Sequence, residues 1–251
     1  VSLVIPAYNE QDRIGATLDV YLAALERTSR PFEVIVVCDG TDHTPDVVRR
    51  LSNPHVRTLE YPRKLGRGGA IFKGLRAAKR EVVAYADADA SVGSEDLIHL
   101  IQVVGAGEAV AIASRRLEPD LVEVPETRLR RLIGWVWHGL IRALLGVKVR
   151  DVQCGLKVFR AEVVAIILRE VLVTNRTFEV DMIYHICRHS IPINEVAVAY
   201  HHDFRTRMPI TKAVPVMFLF LVGVFAANNR IGRRLVPSRV FEMCNSVFST
   251  T

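Results

Sequence analysis

The sequence predicts an α/β fold, with a mostly parallel central sheet, helices on both faces, and amphipathic and apolar helices toward the C-terminus. Two observations predict it. Short, wholly apolar runs alternate with segments of helical spacing, the pattern of buried parallel strands joined by crossover helices. Polar and charged residues gather just after those runs, where open α/β sheets bind their ligands. The length of 251 residues suits one large domain or two small ones, and half of the residues are hydrophobic, enough for a packed core. We expect an α/β domain over residues 1–210 and an apolar, basic, membrane-associating segment over 211–251.

The elements follow in order. Residues 1–5 form a short apolar strand ended by Pro6, and 13–25 carry helical spacing. Residues 32–38 are a second buried strand, closed by Asp39-Gly40. Thr44-Pro45 offers an N-cap and a first-turn proline for a short helix. Residues 56–61 make a third strand, 70–79 a helix, and 82–86 a fourth strand ending at Asp87. Ser94-Glu95-Asp96 caps the next helix, and 109–114 form the fifth strand. Arg128–Leu145 combines a broad apolar face with Arg128, Arg130, Arg131 and Arg142 and contains Trp135 and Trp137. That mixture suits a membrane interface or an ordinary packed helix. Residues 193–198 read as another strand. Residues 213–227 are apolar and uncharged, yet shorter than the ~20 residues of a spanning helix, and Arg230, Arg233, Arg234 and Arg239 follow them.

The net charge of +6 favours nucleic acid, anionic lipid or phosphorylated ligands. Nucleic acid is the least suited, because the charge accompanies apolar helices without an aromatic stacking platform. Cys38, Cys154, Cys187 and Cys244 form no CxxC pair, so free thiols in a reducing compartment are expected rather than zinc. No signal peptide is expected, since Val1 already opens a strand-like run, an abrupt start that suggests missing N-terminal residues.

Asp87-Ala88-Asp89 is the central motif. Two carboxylates two positions apart at a strand end reach one hard cation, Mg²⁺ or Mn²⁺, which neutralises a diphosphate. Asn9-Glu10, Asp39, Asp42 and Arg115-Arg116 follow other strands and point to the same site. Gly66-Arg67-Gly68-Gly69 opens a helix but lacks the third glycine of a dinucleotide fingerprint, since position 71 is Ile71. Leu75-Arg76 stands where a P-loop needs Lys-Ser/Thr. What remains is a helix N-terminus with Arg63, Lys64 and Arg67 nearby, suited to phosphate.

Pro6-Ala7-Tyr8-Asn9-Glu10, Cys38-Asp39-Gly40-Thr41-Asp42, Lys64-Leu65-Gly66-Arg67-Gly68-Gly69-Ala70 and Asp87-Ala88-Asp89 resemble family 2 glycosyltransferases of the GT-A fold. Asp151-Val152-Gln153-Cys154-Gly155-Leu156-Lys157-Val158-Phe159 and Phe178-Glu179-Val180-Asp181 resemble later motifs of the dolichyl- and polyprenyl-phosphate glucose and mannose synthases. The resemblance implies that Pro6, Tyr8, Glu10, Asp39, Gly69 and Lys73 border the nucleotide. It implies that Asp87 and Asp89 handle metal and diphosphate, with Ser91 where a metal-binding glutamine stands in the mannose synthases. Arg115 matches an arginine beside the transferring phosphates, and Arg128 or Arg131 is a second contact to the acceptor phosphate.

A lipid phosphate is already anionic and needs arginines rather than a base, whereas a sugar hydroxyl must lose a proton. Glu179 and Asp181 are candidate bases or salt-bridge partners. His201, His202, Asp203, Arg205 and Arg207 are candidate metal or diphosphate contacts, or plain loop residues. The implied function is inverting hexosyl transfer from a nucleotide-diphosphate sugar to a polyprenyl or dolichyl phosphate at the cytoplasmic face of a membrane, by a peripheral or monotopic protein. Lys64-Leu65-Gly66 is similar to GDP-mannose users. Arg67-Gly68-Gly69-Ala70 and Glu195-Val196-Ala197-Val198 are closer to UDP-glucose users, which are favoured.

Overall fold

A computed structural model describes residues 1–121, 128–174 and 177–200, together with 218, 221 and 223–225; for 119 and 128–131 it describes the backbone alone. The elements run β1 (Ser2–Ala7), α1 (Ile14–Glu26), β2 (Glu33–Cys38), α2 (Thr44–Arg50), β3 (Val56–Glu60), α3 (Gly66–Ala77), β4 (Val82–Tyr85), α4 (Ser94–Gly105), β5 (Val110–Ser114), α5 (Arg128–Leu145), β6 (Lys157–Arg160), α6 (Ala161–Glu170), α7 (Phe178–Arg188) and β7 (Asn194–Ala197). Strand order is β3-β2-β1-β4-β6-β5-β7. All neighbouring strands are parallel except that β6 runs against both β4 and β5.

Strands β1, β2, β4 and β5 are mostly apolar on both sides because both sides of the sheet are covered there. Along β1 and β2, Leu3, Ile5, Val34 and Val36 enter one core with Ile14, Leu18, Leu97 and Leu100. The alternate residues Val4, Ile35 and Val37 enter the other with Ile71, Leu75, Phe178 and Ile183. Each such aliphatic side chain, fully buried, contributes roughly 1.5–3 kcal/mol. Helix α3 lies very close to β1: a Cβ on Gly74 would overlap Val4 Cγ1.

Helix α5 is two-faced. Trp137 and Ile141 are buried in the second core with Leu221. Leu132, Trp135 and Val136 are 58%, 72% and 47% exposed. Among the described residues no helix is long and apolar enough to cross a membrane. Most of the segment 211–251 lies outside the described residues, as does the boundary at 210.

Three local expectations are corrected. Strand β6 was not foreseen: it is four residues long with a basic residue at each end, so it lacks an apolar run. Thr44 is inside α2 rather than its cap; His43 takes that position, while Pro45 does sit in the first turn. Ser94 makes no side-chain cap to α4, whose first turn instead carries Glu95 and Asp96 near the positive end of the helix dipole.

Candidate active site

The carboxyl ends of β1, β2 and β4 lie side by side, so their following loops share one cleft edge. After β4 comes the acidic loop, and α1 fixes it from below. Thr17 Oγ1 donates to Ala88 O at 2.7 Å and Tyr21 Oη donates to Val92 O at 3.0 Å. Ala90 takes a left-handed conformation (φ 51°), and Ser91 N donates to Asp89 Oδ1 at 3.0 Å. Asp89 is half-buried; Ser91 is buried beneath it.

Asp87 is held on two sides. Arg67 Nε, from the first turn of α3, donates to Asp87 Oδ1 at 2.8 Å. The other oxygen lies over Gly155, where any Cβ would overlap Asp87 Oδ2. Burial raises the Asp87 pKa, and Asp89 adds to that, while Arg67 opposes both. Arg67 also pairs through Nη1 with Glu179 Oε2 at 2.8 Å. Glu179 Oε1 accepts from Lys157 Nζ at 2.9 Å and Tyr85 Oη at 2.8 Å. Lys157 is wholly buried, and its ammonium also donates to Cys154 O at 2.7 Å. Burial works against ionised Glu179, but Arg67 and Lys157 outweigh it and hold its pKa below the usual value. The sequence reading gave both aspartates to the cation; the structure gives one oxygen of Asp87 to a guanidinium. Gly155, Lys157 and Tyr85 were not assigned roles from sequence, and only the resemblance around Asp151–Phe159 signalled the first two.

The nucleotide edge is organised by Asp39. Its Oδ2 accepts from Leu65 N at 2.7 Å and Gly66 N at 3.0 Å, capping α3 from just past the end of β2. Burial raises the Asp39 pKa against those two bonds. Asp42 joins two loops, accepting from Gln11 N, Thr44 N and Thr44 Oγ1. Asn9 Oδ1 accepts from Thr41 N, close enough to Gly40 that a Cβ there would strike it. Pro6 is half-buried at the end of β1, and Glu10 is ion-paired with Arg13. Tyr8 is exposed with Lys64 Nζ 4.3 Å from its ring centre, and Lys73 Nζ lies 5.8 Å from the Tyr61 ring. Gly69 faces Leu65 and the carbonyl of Thr174.

Arg115 leaves β5 and forms a fork on fully buried Asp151: Nε to Oδ2 at 2.7 Å and Nη2 to Oδ1 at 2.9 Å. Its guanidinium carbon lies 5.0 Å from the Tyr200 ring centre. Arg116 reaches α5 near Gly134, and His138 stands one turn further along. Burial first, then Arg116, lowers the His138 pKa to about 4, so this imidazole is neutral near pH 7. Arg128 and Arg131 occupy the first turn of α5.

Asp181 is not brought to this edge. It lies two residues past Glu179, about 200° around α7, and accepts from Leu172 N at 2.8 Å and Val173 N at 3.1 Å. Its other oxygen faces His185 at 3.3 Å. It holds a loop and pairs with His185, in keeping with the salt-bridge reading of this acid. His201, His202, Asp203, Arg205 and Arg207 lie outside the described residues.

The model of the family described as glycosyl transferase family 2 matches residues 2–167. The chain belongs to that family. A dolichyl-phosphate beta-glucosyltransferase of Homo sapiens is 30% identical over 232 residues, covering 86% of this chain and 70% of that protein. Its counterpart in Drosophila melanogaster is 32% identical, covering 80% and 66%. Glycosyltransferase AglD of Haloferax volcanii is 31% identical over 85% of this chain, which spans only 35% of that longer protein. Among solved structures, mannosyl-3-phosphoglycerate synthase from Rubrobacter xylanophilus aligns with TM-score 0.68 at 20% identity, covering 88% of this chain and 72% of that one. Glucosyl-3-phosphoglycerate synthase from Mycobacterium tuberculosis, in complex with Mn²⁺, UDP and product, aligns with TM-score 0.65 at 16% identity, covering 90% and 78%. The family 2 transferase thus has the GT-A fold expected from its sequence.

The oxygens of Asp89 and the second oxygen of Asp87 are hard donors that fit a divalent ion. Among the described residues no three His, Cys, Asp or Glu side chains form a metal cage. A hard cation held by one or two carboxylates, with phosphate oxygens and waters completing its shell, needs none.

Proposed function

We propose that this chain transfers glucose from UDP-glucose, with inversion, to the phosphate of a dolichyl or other polyprenyl lipid at the cytoplasmic face of a membrane. The observation that carries the reading is the acid pair Asp87 and Asp89 at the end of β4, facing the N-terminal turn of α3 through Arg67. A helix start, a guanidinium and hard oxygen donors in one place suit a nucleotide diphosphate. The dolichyl-phosphate beta-glucosyltransferases among the relatives support both the sugar and the acceptor.

In this reading Pro6, Tyr8, Glu10, Asp39, Gly69 and Lys73 border the nucleoside. Asp89, with Asp87 and Ser91 beside it, holds Mg²⁺ or Mn²⁺. The bound ion supplies positive charge to the diphosphate. Arg115, Arg128 and Arg131 receive the lipid phosphate, whose oxygen attacks the anomeric carbon. The new bond joins that oxygen to C1, and the electron pair of the old C1–O bond leaves on the diphosphate of UDP. No proton has to be removed, so no base is required. The exposed face Leu132, Trp135 and Val136 lies against the lipid.

The test is a screen of radiolabelled UDP-glucose and GDP-mannose against dolichyl phosphate and a water-soluble phosphate ester. Label from UDP-glucose should enter the organic phase. Transfer only from GDP-mannose overturns the donor; label confined to the aqueous ester overturns the acceptor.

A further inference from the structure

Arg67 is shared between two acids and has one hand free. Nε holds Asp87 and Nη1 holds Glu179, whereas Nη2 is buried without a hydrogen-bond partner among the described residues. A buried donor left unpaired costs roughly 1–3 kcal/mol, a cost that a ligand accepting from it would remove. Glu179 is fixed in turn by Lys157 and Tyr85, so the guanidinium is anchored at its Nη1 end whatever happens at Asp87. Nε and the idle Nη2 lie on the same edge of the guanidinium plane. That edge is a two-pronged fork of the shape that grips phosphate.

We propose that Arg67 is a guard: without donor it takes the charge position at Asp87 that the divalent ion later fills, so that ion loading waits for the diphosphate. This rests on the metal-dependent, nucleotide-sugar reading above. Guanidinium and cation compete for one carboxylate, and Asp87 cannot turn aside because the backbone at Gly155 closes its other side. When the diphosphate arrives, the Nε–Nη2 edge turns to its oxygens, Nη1 stays on Glu179, and Asp87 is released to the ion. Diphosphate and cation therefore help each other bind, with a coupling that passes through Arg67.

The experiment is a calorimetric titration of Mn²⁺ into the protein with and without UDP, for the natural chain, Arg67→Met and Arg67→Gln. Arg67→Gln keeps a polar side chain at the buried position and, like Arg67→Met, leaves Glu179 paired with Lys157, so it guards against misfolding of the methionine variant. UDP should tighten Mn²⁺ at least roughly tenfold in the natural chain, within the usual range of such couplings. Both variants should bind Mn²⁺ about tenfold more tightly than the natural chain without UDP, and lose most of the UDP effect. Variants that bind Mn²⁺ alone as weakly as the natural chain, with UDP still tightening it, overturn the guard and leave the metal-dependent reading standing. A natural chain that binds no Mn²⁺ even with UDP overturns that reading and the guard with it.

Discussion

Asp151 has no solvent exposure, and its pKa is held at about 2: burial pushes it up, but the Arg115 fork outweighs burial. Because the folded value lies below the ordinary 3.8, the pair stabilises the native state above that pH. The contribution is lost as pH falls through the folded value. Urea melts between pH 5 and pH 2 should show this loss, and Arg115→Met should flatten it. That variant leaves a buried carboxylate unpaired and should destabilise by about 3–5 kcal/mol. Gly155→Ala acts on geometry: its Cβ must displace the Asp87 carboxylate. Transfer should fall about a hundredfold, the scale of a 1 Å misplacement, with the circular dichroism spectrum unchanged. At this scale Asp87, Asp89, Asp39 and Arg115 were legible because strand-end acids and arginines stand out beside apolar runs. Lys157 and Gly155 were not. A lysine reads as exposed until Glu179, 22 positions later, is seen to bury it, and a glycine's clearance exists only in three dimensions.

Among the elements, α3 carries the most chemistry. Apolar spacing alone begins it at residue 70, but the motif Gly66-Arg67-Gly68-Gly69 marks its opening, and it does start at Gly66. Glycine is a poor helix former, and the compensation comes from Asp39, just past the end of β2, which no local pattern reveals. Asp39→Ala should destabilise by roughly 0.5–2 kcal/mol, as loss of a helix cap does, and raise the KM for donor, measured by melts and initial rates. Gly74→Ala forces a methyl onto Val4 and should destabilise by about 1–3 kcal/mol, as overpacking does. Strands β1, β2, β4 and β5 were legible because each is a short, mostly apolar run buried on both sides, whereas β3 is a half-buried edge strand. Strand β6 depends on its neighbours β4 and β5 for its existence.

For the whole molecule, Leu132, Trp135 and Val136 on α5 are exposed apolar side chains at i, i+3 and i+4 spacing, on one face of the helix. Liposomes of anionic lipid should float the natural chain, and Leu132→Glu/Trp135→Glu should stay at the bottom with an unchanged melting temperature. The pattern of Arg128–Leu145 suits a buried helix and an interfacial one equally; the structure shows Trp137 and Ile141 buried and Leu132, Trp135 and Val136 exposed. The reaction itself is tested most directly by comparing the natural chain with Asp89→Ala for transfer of labelled glucose from UDP-glucose into dolichyl phosphate, with Mn²⁺ supplied. The variant should retain its fold and lose transfer to background, as the natural chain should in excess chelator. Undiminished transfer by folded Asp89→Ala would contradict the assignment of Asp89 to the ion and the diphosphate.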